Sequence, residues 1–173
     1  MSQWANQTTS FFWRKSIRLK EYDYSQPGAY FVTICTRDRG AIFGDVVDGE
    51  IQMSPIGEIA SRCWREIADH FTNVELDEFE VMPIHVHGII DILENPKPPV
   101  THPRRDVQLN IPTETFFEHI IRNDRSLTRI REYTVSNPRR WTSDKENLRA
   151  EGKDEFDQWL ESTGKKPARV ESK

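Results

Sequence analysis

The chain has 173 residues, of which 36% are hydrophobic and 30% charged, and its formal net charge is −4. This composition predicts one compact domain with polar extensions, and no apolar run is long enough to cross a membrane. The first residues lack the charged start and apolar stretch of a secretory signal, so we expect a cytoplasmic protein. Its two cysteines, Cys35 and Cys63, form no Cys-x-x-Cys pattern and are expected to be buried thiols.

The residue pattern predicts a short series of strands and helices. β-branched and aromatic runs predict strands, and Ser54 followed by Pro55 predicts the start of a helix. Asn137-Pro138 predicts the end of a second helix, because proline disfavours the helical conformation in the residue before it. The predicted elements are a strand at 29–36, a hairpin of 42–47 and 50–53 around Asp48-Gly49, a helix from 55 to about 70, strands at 74–82, 85–93 and 115–121, and a helix at 126–136.

This order of elements predicts an α+β fold. We expect a ferredoxin-like antiparallel sheet with helices packed on one face. The chain then divides into an N-terminal arm at 1–20, a domain at 21–144 and a polar C-terminal tail at 145–173. Within the domain, the proline-rich stretch 95–114 is expected to be a connector, and the tail contains one short amphipathic piece around 156–160.

His85-Val86-His87 is the sharpest local feature. Residues two apart on a strand point to the same face, so the two imidazoles are expected to lie side by side, spaced to share one cation. Imidazole is a ligand for several divalent metals. Buried structural histidines are the alternative, and the spacing alone does not decide between the two.

Tyr133 and Asn137 form the second feature. Their spacing of four places them on one face of a helix, where they could supply a nucleophile and a neutral oxygen ligand. The alternative is a core tyrosine followed by a helix stop. Tyr22, Tyr24 and Tyr30 are poorer candidates, because none of them has an amide four residues on within a helix.

Arginine is concentrated around the second helix. A locally basic face on an acidic protein can still neutralise phosphates, although a solvated helix face is the other interpretation. The six arginines are Arg122, Arg125, Arg129, Arg131, Arg139 and Arg140.

Several segments resemble one known family in the same order along the chain. Residues 82–89, with the sequence Met-Pro-Ile-His-Val-His-Gly-Ile, resemble its Met-Pro-Asn-His-Val-His-Gly segment. Residues 30–36 resemble its first strand, and residues 118–141 resemble its closing strand and catalytic helix. The family is the REP-associated branch of the single-tyrosine HUH transposases, and the resemblance covers most of residues 16–144.

The resemblance implies a function and a role for each residue. It implies that His85, His87 and Asn137 bind a divalent metal, Mg or Mn, and that Tyr133 is the nucleophile. The reaction would cleave and rejoin single-stranded DNA through a 5′-phosphotyrosine. The implied partners are single-stranded or hairpin DNA and a second copy of the chain in a homodimer, with the six arginines contacting DNA.

The sequence also departs from the family pattern. Ile84 replaces the usual Asn before the first histidine, and the stretch 95–114 stands where relatives have a substantial helix. A shortened copy could bind hairpin or single-stranded DNA without cleaving it, which is the alternative function. A third interpretation is an unrelated α+β protein with buried histidines.

Overall fold

The computed structural model describes residues 22–96, 113–144, 146–150 and 154–164. The expected arm, and all of the connector except its two ends, lie outside the described residues. The strands are β1 (Gly28–Thr36), β2 (Gly44–Val47), β3 (Glu50–Met53), β4 (Val74–Met82), β5 (His85–Ile92) and β6 (Thr113–Ile121). The helices are α1 (Pro55–Arg65), α2 (Ile67–His70), α3 (Asp124–Arg140) and α4 (Glu155–Gly164). No helix among the described residues is both long and apolar enough to span a membrane.

Four strands form the main sheet. β1 pairs with β5 on one side and with β6 on the other, and β5 pairs in turn with β4. The order across the sheet is therefore β4-β5-β1-β6, and every neighbouring pair is antiparallel. This is the strand order of a ferredoxin-like sheet, so the predicted fold class is confirmed.

Helices cover both faces of this sheet, whereas the sequence led us to expect them on one. Tyr30 and Val32 of β1 share a core cluster with Trp64 of α1. Phe31, which lies between them on the strand, shares a second cluster with Ile130 of α3. Consecutive apolar residues on β1 point to opposite faces, so both faces need a cover. The elements that position the candidate site are those on the α3 face.

The hairpin and the first helix follow from local sequence. Asp48 (φ 53°) and Gly49 (φ 78°) both adopt the left-handed conformation that a tight hairpin turn of the primed type requires. The side chain of Ser54 accepts a hydrogen bond from the backbone N–H of Gly57 at 3.1 Å and so caps α1. α1 ends earlier than expected: the backbone turns at Glu66, and the short α2 follows.

α3 is longer than the sequence predicted at both ends. Its cap is Asn123, whose side chain accepts from the backbone N–H of Ser126 at 2.9 Å. The expected stop at Asn137 is wrong, because the helix continues through Pro138 to Arg140. Proline removes one helical hydrogen bond, but Asn137 and Pro138 are both buried in the last turn. We infer that tertiary contacts of this turn outweigh the local preference.

The region expected to be a polar tail contributes to the core. Phe156 of α4 is 3% exposed and belongs to the cluster of Phe31 and Ile130. A short 3₁₀ turn at Trp141–Ser143 connects α3 to this region. Asp144 and α4 therefore lie on the same face of the sheet as α3.

Candidate active site

The two histidines of β5 lie side by side, as the strand spacing predicted. Both are 1% exposed, and His85 Nε2 is 3.1 Å from His87 Nδ1. Across the sheet, His85 is in register with Cys35 of β1, and His87 with Thr33. The pair thus lies at the start of β5, an interior strand flanked by β4 and β1.

The turn before His85 is held by the backbone. The carbonyl oxygen of Ile84 accepts hydrogen bonds from the N–H of Thr36 at 2.8 Å and from its hydroxyl at 3.1 Å. Ile84 itself is 4% exposed. An isoleucine in place of asparagine therefore fills the core and leaves the start of β5 anchored to the end of β1.

α3 brings the other two predicted site residues to the same face. The ring of Tyr133 lies 5.4 Å from the ring of His87, centroid to centroid. Asn137, one helical turn further on, is fully buried. Tyr133 and Asn137 are also joined through one carboxylate, because both donate a hydrogen bond to Asp144 Oδ2, at 3.3 and 2.7 Å.

Asp144 is a site residue that the sequence did not indicate. It is 1% exposed, and its second oxygen accepts from the backbone N–H of Glu146 at 2.7 Å. In the sequence it stands in a polar stretch before Lys145 and Glu146, where an aspartate normally reaches solvent. No local signal distinguishes it, since its burial depends on how the chain returns after α3.

Glu146, two residues after Asp144, contacts the end of β1 and the residues that follow it. Its carboxylate is 3.2 Å from the guanidinium of Arg39, and it accepts from the thiol of Cys35 at 3.6 Å. Burial, with the nearby charge of Glu146, raises the pKa of the Cys35 thiol to about 12. Cys35 is therefore a protonated core residue, as the sequence predicted. Arg39 itself is partly exposed and pairs with Glu146 at the surface of the domain.

Tyr133 is covered in this structure. Its ring is 5% exposed and stacks on Phe156 of α4, with centroids 3.6 Å apart and planes 7° from parallel. The guanidinium of Arg140 lies 5.7 Å from the centre of the Tyr133 ring and forms an ion pair with Asp154. Phe156 and Arg140 thus both lie against the Tyr133 ring and contribute to its burial.

The other tyrosines of the described region lie on the α1 side of the sheet. Tyr30 is 4% exposed and donates to the carbonyl oxygen of Gln26 at 2.8 Å. Burial raises the pKa of the Tyr30 phenol, which makes it a poor nucleophile. The rings of Tyr22 and Tyr24 lie within 6.5 Å of the Tyr30 ring, so all three belong to a packing cluster away from the histidines.

The six arginines do not form one uniform surface. Arg131 pairs with Asp77 of β4, and Arg129 lies over the ring of Trp159 at 4.7 Å. Together with Arg140, three of the six are thus engaged in contacts within the chain. Arg122, Arg125 and Arg139 are exposed.

A groove of about 650 Å³ runs between the β2–β3 hairpin and α3. Its charged lining mixes three glutamates with two arginines, so it is not a basic channel. One of the glutamates, Glu80 of β4, is in register with His87, and burial raises its pKa. The groove therefore borders the site on the side of β4.

The donor set suits a divalent metal ion. Two ligand atoms about 2.1 Å from one octahedral ion, in adjacent positions, are about 3.0 Å apart. The 3.1 Å between His85 Nε2 and His87 Nδ1 fits this spacing, and it also fits a hydrogen bond between the rings. Asn137 Oδ1 is buried and has no hydrogen-bond partner among the described residues. Within the same residues no three His, Cys, Asp or Glu side chains are grouped to hold a metal.

Fold and site together define an α+β protein with a buried His-His-Tyr-Asn-Asp cluster on one face of its sheet. No known protein-family model matches the chain. It is 31% identical over 164 residues to an uncharacterized protein of Haemophilus influenzae, in an alignment that covers 76% of this chain and 91% of the relative. The chain therefore belongs to the same protein family as this relative.

The chain is also similar to a solved structure described as a REP-associated tyrosine transposase bound to a REP hairpin. The TM-score is 0.48 and the sequence identity 16%, over 72% of this chain and 74% of that chain. A similarity at this level does not assign an activity.

Proposed function

We propose that this chain is a metal-dependent transposase or nicking endonuclease that cleaves and rejoins single-stranded DNA through a 5′-phosphotyrosine. The observation that carries the proposal is the convergence of one phenol, two imidazoles and one amide on a single buried face. The ring of Tyr133 is 5.4 Å from that of His87, and Tyr133 and Asn137 share a hydrogen-bond acceptor. The sequence resemblance to the single-tyrosine HUH transposases assigns the same residues.

The reaction is a transfer of one phosphoryl group. The hydroxyl oxygen of Tyr133 forms a bond to phosphorus while the bond from phosphorus to the 3′ oxygen breaks. The phenol loses its proton, and the departing 3′ oxygen gains one and becomes a hydroxyl. Because one phosphoester bond replaces another, a second 3′-hydroxyl can reverse the step on a new strand without ATP.

The residues around Tyr133 orient these groups. Asp144 Oδ2 accepts from the Tyr133 hydroxyl at 3.3 Å, and this contact would orient the nucleophilic oxygen. His85, His87 and Asn137 would hold a Mg²⁺ or Mn²⁺ ion. When bound, such an ion stabilises negative charge on the phosphoryl oxygens.

The exposed arginines of α3 and its flanks supply contacts to the DNA backbone. Arg122, Arg125 and Arg139 are available to phosphates of single-stranded or hairpin DNA. Arg140 lies beside the Tyr133 ring and would be released with the cover of α4. Binding is expected to weaken steeply with salt, because each neutralised phosphate releases counterions.

A covalent-adduct assay tests the proposal. The full chain is incubated with Mn²⁺ and a hairpin-containing single strand labelled at its 3′ end, since a 5′-phosphotyrosine retains the 3′ fragment. We expect a labelled protein band on a denaturing gel that Tyr133→Phe abolishes. Tyr22→Phe is the matched control, because Tyr22 belongs to the cluster on the α1 side of the sheet. A band that survives Tyr133→Phe would exclude Tyr133 as the nucleophile.

One observation favours a second function, that of a DNA-binding module without cleavage. Tyr133 is only 5% exposed and is stacked against Phe156, so the nucleophile is shielded in the described conformation. A module of this kind binds a hairpin with the same affinity before and after Tyr133→Phe. It also gives no adduct when the cover is weakened by Phe156→Ala, which distinguishes it from an enzyme.

A further inference from the structure

One carboxylate oxygen connects the candidate nucleophile to the candidate amide ligand. Asp144 Oδ2 accepts from the hydroxyl of Tyr133 at 3.3 Å and from Asn137 Nδ2 at 2.7 Å. Asp144 Oδ1 accepts from the backbone N–H of Glu146 at 2.7 Å. All three contacts are buried, so neither oxygen depends on solvent for its hydrogen bonds.

This arrangement decides which end of the Asn137 amide faces which neighbour. The oxygen and nitrogen of an amide have nearly the same size and shape, so packing alone does not orient the group. A carboxylate only accepts hydrogen bonds and therefore selects the NH₂ end. The carbonyl oxygen Oδ1 is left on the other side, buried and without a hydrogen-bond partner among the described residues. Hard divalent cations bind carbonyl oxygens and are repelled by NH₂ groups.

We propose that Asp144 is a positioning residue, which keeps the carbonyl oxygen of Asn137 available to a divalent cation and holds the Tyr133 hydroxyl with the same oxygen. This inference rests on the proposed function, since it assigns a role within the same site. The inference adds Asp144 to that site and explains why this carboxylate is buried beside Asn137. A hydrogen-bond partner of this kind fixes the geometry of a metal ligand without touching the metal.

The position of Asp144 is itself fixed from two sides. The N–H of Glu146 holds one oxygen, and the Glu146 carboxylate is tied to Arg39 after β1. On the other side, the ring of Trp141 lies 6.1 Å from the ring of His85. The chain around Asp144 is thus anchored both to the end of β1 and to the first histidine, which keeps the carboxylate beside Asn137.

Asp144→Asn tests the orientation. If the new side-chain oxygen at 144 accepts from Glu146 N–H, the new NH₂ group faces the NH₂ group of Asn137. The Asn137 amide then regains a hydrogen bond by flipping, which turns its carbonyl oxygen toward residue 144 and its NH₂ toward the cation. We expect Mn²⁺ affinity, measured by calorimetry on the full chain, to fall by about 10- to 100-fold. Asp154→Asn is the matched control: Asp154 is also a buried carboxylate, but it accepts from the guanidinium of Arg140 and the backbone N–H of Phe156 instead of from Asn137. Thermal unfolding without metal checks that each variant is folded.

A double-mutant cycle separates orientation from charge. In an Asn137→Asp background, either oxygen at 137 can bind the cation, so there is no orientation left to lose. We expect Asp144→Asn not to lower Mn²⁺ affinity in that background, where it also relieves the repulsion between two neighbouring carboxylates, against the 10- to 100-fold loss beside Asn137. An equal loss in both backgrounds overturns the proposal, because it would reflect only the missing charge.

The outcomes also distinguish this inference from the proposed function. If the unmodified chain binds Mn²⁺ and Asp144→Asn binds it equally well, Asp144 has no positioning role and the nuclease proposal stands. If the unmodified chain binds no Mn²⁺ and forms no adduct, both proposals are wrong.

Discussion

Phe156→Ala is expected to uncover the candidate nucleophile. The Phe156 side chain is 3% exposed and stacks on the Tyr133 ring at 3.6 Å, so it is the main apolar contact between α4 and that ring. Burial of a phenylalanine contributes about 1.5–3 kcal/mol, and an aromatic pair adds about 0.5–1.5 kcal/mol. The change therefore removes about 2–4.5 kcal/mol from the docking of α4. Since about 1.4 kcal/mol is a factor of ten, the undocked fraction rises by roughly 10²-fold.

Hydrogen exchange followed by mass spectrometry measures the undocked fraction of α4 directly. Amides of α4 are expected to exchange roughly 10²-fold faster in Phe156→Ala, while those of β1 and β5 stay protected. The rate of adduct formation with a hairpin strand should rise in the same direction. Phe71→Ala is the control, because Phe71 is 56% exposed and contributes little burial. If α4 and the central strands lose protection together, α4 is not an independent cover and the reasoning fails.

Three further predictions concern stability and binding. Burial lowers the pKa of His119 from 6.5 to about 4, so on acidification the unfolded chain takes up a proton before the folded chain does. The unfolding free energy should therefore fall between pH 6.5 and 4, by less than about 3 kcal/mol because the ring is partly exposed. In urea titrations, His119→Gln should flatten this pH dependence. Gly57→Ala places a Cβ against the carbonyl oxygen of Phe43 and should lower the unfolding free energy by about 1–3 kcal/mol; unchanged urea stability would contradict the close packing. Asp77→Ala removes a pair whose side chains are 24% and 46% exposed, so it should cost less than about 1 kcal/mol and, by releasing Arg131, raise hairpin affinity in fluorescence anisotropy; a lower affinity would contradict this.

The strands could be predicted from the sequence because their signals are local. β4 begins and ends where the alternation of residues 74–82 placed it, and β5 begins at His85 as expected. The hairpin turn at Asp48-Gly49 is also local, since only two residues must adopt the left-handed conformation. The same local rule, two residues per strand period, brought His85 and His87 to one face.

Features that depend on tertiary contacts could not be predicted in this way. α3 continues through Pro138, and its last turn is buried. The rule that a helix ends before proline considers only local backbone preference and does not take this burial into account. The site residue Asp144 is the last residue of the predicted domain, and the covering residue Phe156 lies in the region that composition assigns to a tail. Their positions follow from the path of the chain after α3, so only the folded structure reveals them.

The part of the chain after α3 contains residues that support the candidate site and, further on, residues that cover it. Asp144 and Glu146 support the site from within, whereas Asp154 and Phe156 shield it ten residues later. Because the supporting pair comes first, a stop codon placed after residue 150 would remove the shield and retain the support. Loss of the last 23 residues is thus expected to expose the Tyr133 ring, whereas a deletion that also removes Asp144 and Glu146 would take away the contacts that hold Asn137.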